Sequence, residues 1–75
     1  MLANIIAIGD EFLLGQTIDT NSGWMAQQLN PLGIGIRQIQ VIQDTPEAIR
    51  KAVQSALDTS PLTLVTGGLG PTRDD

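Results

Sequence analysis

Three short apolar runs, Leu2 to Ile8, Ile34 to Val41 and Leu62 to Thr66, alternate with two stretches of helical spacing, and that alternation leaves few folds open. Leu2-Ala3-Asn4-Ile5-Ile6-Ala7-Ile8 is almost continuously apolar and closes on Gly9, the pattern of a strand covered on both faces. Phe12-Leu13-Leu14 followed by Gly15 is expected to form a short apolar turn that packs the next loop down. Asp19-Thr20-Asn21-Ser22 then offers a cluster of capping oxygens ahead of Met25, Leu29 and Leu32, which recur at helical spacing. A helix from about Asn21 to Asn30 is predicted, ended by Pro31 and Gly33, with Trp24 in the core or at an interface.

In the second apolar run, Ile34 and Ile36 have one parity and Ile39 and Val41 the other, so a bulge or twist is predicted near Gln38. Such a strand belongs nearer an edge than the first. Asp44-Thr45-Pro46-Glu47 is a helix start, with Asp44 a competent N-cap, a proline where its missing N–H costs nothing, and an acid in the positive first turn. Ile49, Ala52, Val53, Ala56 and Leu57 share one face, opposite Arg50, Lys51, Gln54, Ser55 and Asp58. Ser60-Pro61 ends that helix and Leu62 to Thr66 forms the third strand.

The order β-α-β-α-β calls for a parallel sheet with right-handed crossovers, hence the α/β class. If the first strand lies between the other two, the loops after the first and third strands leave one sheet edge at a topological switch point, where open α/β sheets bind ligands. Asp10, Glu11, Asp44, Asp74 and Asp75 all follow strand ends and are expected to gather at that rim. A three-stranded sheet with two helices leaves an edge or face uncovered, so a homo-oligomer is expected.

Composition narrows the chemistry. Seventy-five residues make one domain at most, and with one Trp, one Phe and no Tyr its core must be aliphatic. A net charge of −4, with Arg37, Arg50, Lys51 and Arg73 scattered, provides no basic stripe for nucleic acid. Cysteine and histidine are both absent, so any metal must take oxygen ligands, which favours magnesium, manganese or calcium over zinc. The N-terminal apolar run has no basic flank and is too short to span a bilayer, so a cytoplasmic protein without membrane contact is expected. Because Asp75 falls inside what reads as a ligand loop, residues 1–75 are expected to be a single partial domain.

That loop is Thr66-Gly67-Gly68-Leu69-Gly70-Pro71-Thr72-Arg73-Asp74-Asp75. Glycine lets backbone N–H groups approach and cradle an anion, and paired carboxylates beside such a cradle suit a divalent cation. It is neither a Walker A loop nor a G-x-G-x-x-G fingerprint, which argues against P-loop hydrolysis of nucleoside triphosphates. Blander roles compete at each position: a tight turn at Gly67-Gly68, a solvated loop at Asp10-Glu11, helix capping at Asp19 to Ser22 and at Asp44. Capping does not exclude phosphate binding at the helix start near Asn21.

Together, Gly9-Asp10-Glu11-Phe12-Leu13-Leu14-Gly15, Asp19-Thr20-Asn21-Ser22, Asp44 before the second helix, and Gly67-Gly68-Leu69-Gly70-Pro71-Thr72-Arg73-Asp74-Asp75 resemble the N-terminal domain of the CinA (competence/damage-inducible) family. That domain belongs to the molybdopterin-binding, MogA/MoeA-like superfamily. The resemblance covers essentially all 75 residues and implies roughly the first half of a domain of three-layer α/β/α fold. It further implies hydrolysis of ADP-ribose to AMP and ribose 5-phosphate with a divalent metal, magnesium, manganese or cobalt. By the same resemblance Asp44 and Asp75 are the catalytic pair, and Asp44, Asp74 and Asp75 the metal ligands. Gly67, Gly68, Gly70 and Thr72, with Asp10, Glu11 and Asn21, are expected to hold the phosphate or nucleotide. The alternatives are a pterin-phosphate-binding or adenylyl-transfer module of molybdenum cofactor biosynthesis, or a non-catalytic oligomerising piece. CinA proteins usually add a C-terminal nicotinamide-nucleotide deamidase domain.

Overall fold

The computed structural model describes residues 1–67. Its elements are β1 (Leu2–Ile8), α1 (Asp10–Leu13), α2 (Thr20–Leu29), a 3-10 turn (Asn30–Leu32), β2 (Gly35–Ile42), α3 (Pro46–Thr59) and β3 (Leu62–Gly67). The three strands form one parallel sheet in the order β2-β1-β3. The apolar run that opens the chain is therefore the central strand, and from Ala3 to Ile8 every residue of it is buried. Its side chains alternate between two covered faces. Ile6 and Ile8 pack with Ile42 against Ala52 and Ala56 of α3, flanked by Ile49 and Val53, while α2 lies against the sheet from the other side. A three-layer α/β/α arrangement results.

The parity change in the second strand has a definite cause. Ala3 pairs with Ile36 but Asn4 pairs with Gln38, so Arg37 is the extra residue of a bulge. After it, Ile39 and Val41 pair with Ile5 and Ala7 and so join Ile36, opposite Ala3, on the face toward α2. The bulge also serves the buried Asn4, which is 2% exposed. Its amide donates to Ala56 O at 3.0 Å and to Thr59 Oγ1 at 2.9 Å, and its Oδ1 accepts from Arg37 Nε at 3.1 Å. A lone polar residue in the central strand is thus satisfied by the end of α3 and the bulge of β2.

Four local expectations are corrected. Phe12-Leu13-Leu14 does not form a simple turn, because Asp10 to Leu13 close a short helix with Leu14 as its C-cap. Of the two places expected for Trp24, the core is ruled out: it is 61% exposed, on the side of α2 away from the half-buried Met25, Ala26 and Leu29. Leu57 leaves the buried face of α3 and is 60% exposed, since the stripe that meets the sheet runs through Ala52, Val53 and Ala56 and Leu57 lies beside it. Val65 of β3, on the same sheet face, is likewise exposed.

The fourth is the cap of α3, which is Thr45 and not Asp44: Thr45 Oγ1 accepts the Ala48 N–H at 3.2 Å. With Pro46 as the first helical residue, the residue before it is the N-cap by position. Thr45→Ala is expected to lower stability by about 1 kcal/mol, the usual worth of such a cap. Asp44→Ala should leave the urea midpoint almost unmoved, and equal losses in the two variants would contradict the assignment.

Candidate functional site at the carboxyl edge of the sheet

In a parallel sheet with helical crossovers, the strands end where the helices begin. One edge therefore collects the loop after β1 with Asp10 and Glu11, the first turn of α2 with Asn21, the loop after β2 with Asp44, and the end of β3 at Gly67. These are the sequence-predicted residues on which the structure bears. Gly68, Gly70, Thr72, Asp74 and Asp75 lie outside the described residues.

The β1 and β2 loops are tied together. Pairing continues one residue past β1, with Gly9 N–H donating to Ile42 O at 3.1 Å. Beyond it the Asp44 N–H donates to Asp10 Oδ1, also at 3.1 Å. Glu11 folds back over the end of β1, its Oε2 only 2.9 Å from where a Cβ on Gly9 would stand, so that glycine leaves room for the carboxylate. Asp10, Glu11, Asn21 and Asp44 are all exposed to solvent. Asp19, in contrast, is occupied with capping: it accepts from the Ser22 N–H at 3.2 Å and from the buried Ser22 hydroxyl. Of the capping cluster, Thr20 and Asn21 face solvent in the first turn of α2.

Gly67, expected to hold the phosphate, is required by the strand itself. It pairs with Ile8, has φ +89°, and a Cβ there would come within 2.2 Å of Ile8 O. The third strand therefore ends at Gly67 in close approach to the end of β1, which is possible only without a side chain. Below the rim, on the β2 side, an open groove of about 570 Å³ runs between α1, β2 and α3, lined by Leu13, Gln40, Ile42, Gln43, Ala48 and Lys51 among others. A second, of about 410 Å³, lies between Asp10, Leu13, Leu14, Gln43 and Thr45 and opens at the rim.

Chemically, the rim combines exposed carboxylates, backbone donors and a glycine-led strand exit. Among the described residues no three His, Cys, Asp or Glu side chains converge as a metal site. Among the described residues the Asp44 carboxylate makes no hydrogen bond, and Asp74 and Asp75, expected beside it as metal ligands, lie outside that span. The donors the chain can offer are oxygens alone, which fits a hard divalent cation. No helix among the described residues is long and apolar enough to cross a membrane.

Residues 4–75 match the model of a family described as "Probable molybdopterin binding domain". A CinA-like protein of Chloroherpeton thalassium is 45% identical over 75 residues, which is all of this chain and 18% of that protein. Protein PH0439 of Pyrococcus horikoshii is 43% identical over 76 aligned positions, covering all of this chain and 30% of its own length. Among solved structures, the protein CinA from Thermoplasma acidophilum, described as of unknown function, superposes with a TM-score of 0.90 at 36% identity over 96% of this chain and 43% of that one. The chain thus spans between about a fifth and somewhat under half of the length of these relatives.

Proposed function

Since the chain belongs to the molybdopterin-binding domain family and is similar throughout to CinA-like proteins, we propose that it forms part of a phosphoryl-cleaving site that hydrolyses ADP-ribose to AMP and ribose 5-phosphate. The observation that carries this reading is the bond from the Asp44 N–H to the Asp10 carboxylate, beside a β3 end pressed onto Ile8. It ties the β1 and β2 loops together beside the end of β3, so a ligand extended across that rim would meet all three strand ends.

Charge favours a cation at that place. Asp10, Glu11 and Asp44 stand exposed on one edge of a chain of net charge −4, and a diphosphate brought there is repelled unless a cation intervenes. Asp44, Asp74 and Asp75 would hold a divalent ion, magnesium, manganese or cobalt. When bound, such an ion neutralises phosphoryl-oxygen charge and lowers the pKa of an attacking water. Gly67 to Gly70 would donate backbone N–H groups to the phosphate oxygens, with Thr72 adding a hydroxyl. Asn21 and Glu11 line the approach of the nucleotide. Water adds to phosphorus as the bridging P–O bond breaks, leaving one phosphate on adenosine and the other on ribose. Cytoplasmic placement and self-association of the exposed sheet edge belong to the same proposal.

The family description favours a second reading, a pterin-phosphate-binding or adenylyl-transfer module. Leu69 within Gly-Gly-Leu-Gly-Pro-Thr bears on the choice, since the pterin-handling relatives more often resemble Gly-Gly-Thr-Gly. Titration of the whole natural protein with ADP-ribose and with a pterin phosphate, magnesium present, separates the two. Tighter binding of ADP-ribose is the expected result. A clear preference for the pterin phosphate would transfer the site to the second reading.

A further inference from the structure

The Asp10–Asp44 contact is a continuation of the sheet by a side chain. In a parallel ladder, a β1 N–H donates to one β2 carbonyl, and the β2 N–H two residues further on donates back to the β1 carbonyl. Gly9 N–H to Ile42 O is the first of these bonds, so the second is due from Asp44 N–H to Gly9 O. That carbonyl instead accepts the Phe12 N–H at 3.3 Å as α1 turns the chain out of the ladder. The Asp44 N–H goes instead to Asp10 Oδ1 at 3.1 Å, so a carboxylate oxygen takes the place of the missing backbone acceptor. Asp10 makes no cap for its own helix, since α1 has no side-chain cap bond.

We infer that Asp10 is a positioning residue: its carboxylate holds the β2–α3 loop in strand register past the end of β2 and so fixes where the Asp44 side chain stands at the rim. The part of the inference that concerns turnover rests on the hydrolase reading given above. Asp10 then acts through Asp44 and not by touching the ligand. Its work requires an acceptor oxygen at that point and not a negative charge, so asparagine can replace it and alanine cannot.

The test pairs Asp10→Ala with Asp10→Asn in the whole natural protein, measuring hydrogen exchange of the Asp44 amide and turnover of ADP-ribose with magnesium. Exchange at Asp44 is expected to quicken roughly tenfold in Asp10→Ala, the scale of one lost hydrogen bond, and to stay near wild type in Asp10→Asn. Turnover is expected to drop on the order of tenfold or more through kcat in Asp10→Ala, as for a displaced catalytic group, and to recover within about threefold in Asp10→Asn. An unaltered Asp44 exchange rate in Asp10→Ala overturns the inference. So does an Asp10→Asn enzyme as slow as Asp10→Ala while its Asp44 amide is still protected, because the charge would then be the functional property. Undiminished turnover in Asp10→Ala with fast exchange also overturns it. Exchange needs no substrate, so a wild type that releases no AMP sinks the hydrolase reading alone, and the tie is judged by the amide.

Discussion

Gly67→Ala is expected to destabilise the fold by roughly 2–5 kcal/mol, adding ~1–2 kcal/mol for a side chain at positive φ to ~1–3 kcal/mol for an overfilled contact. The contact is with backbone: the new Cβ would stand 2.2 Å from Ile8 O and 3.1 Å from its carbonyl carbon, and neither can rotate away. Relief requires β3 to part from β1 at its carboxyl end, where the glycine motif emerges. A domain of this size has a margin of only several kcal/mol, so the variant should show a much lower urea midpoint or unfold outright. Gly23→Ala is the control, since Gly23 sits within α2 with nothing within 4 Å of an added Cβ. It should be neutral or stabilising by up to ~1 kcal/mol. Equal midpoints for Gly67→Ala and wild type would mean that β3 does not approach Ile8 as described.

Asp44→Asn is expected to lower turnover of ADP-ribose on the order of a hundredfold or more while leaving stability within ~0.5 kcal/mol. The two halves of that expectation have separate sources. Thr45 does the capping and the backbone of Asp44 makes the bond to Asp10, so the carboxylate itself bears no structural task among the described residues. An amide of the same shape keeps every one of those contacts. What it removes is a negative oxygen at the rim, and with it one ligand of the proposed cation. The loss should appear in kcat and in the metal concentration needed, with the folded baseline unchanged by circular dichroism. Turnover within twofold of wild type would remove Asp44 from the machinery.

Much of the architecture is legible in the chain because the burial demands are local. The run Leu2 to Ile8 carries no solvent-facing period, and only a central strand satisfies it. The switch of parity between Ile36 and Ile39 registers a bulge whose extra residue, Arg37, lies one position from where the pattern changes. The helix predicted from about Asn21 to Asn30 is observed over Thr20–Leu29, with Asp19 as its cap. What sequence periodicity does not carry is how wide the sheet under a helix is. Leu57 has the right spacing for the core, yet it lies to the side of the stripe that meets the strands, and Trp24 likewise has no layer to cover it. The cap at Thr45 was within reach, since Pro46 marks the first helical turn.

The candidate site is legible in part for the same reason. Chain order puts Asp10, Glu11, Asp44, Asp74 and Asp75 at one rim; the structure has Asp10, Glu11 and Asp44 just past the carboxyl ends of β1 and β2, and Asp74 and Asp75 lie outside the described residues. Their division of labour depends on hydrogen bonds that no spacing encodes. Asp10 and Glu11 are neighbours in sequence, but one completes the ladder while the other folds over Gly9. Gly67 reads as a ligand-contacting glycine, and the approach of Ile8 O gives it a structural necessity as well.

The proposal stands most directly on AMP release from ADP-ribose by the whole natural protein, followed with magnesium or cobalt present and absent, beside Asp44→Asn and Asp75→Asn. Metal-dependent release by wild type that is lost in both variants, with their folds intact, is the expected result. No release from a folded wild type supplied with either metal would contradict the hydrolase reading.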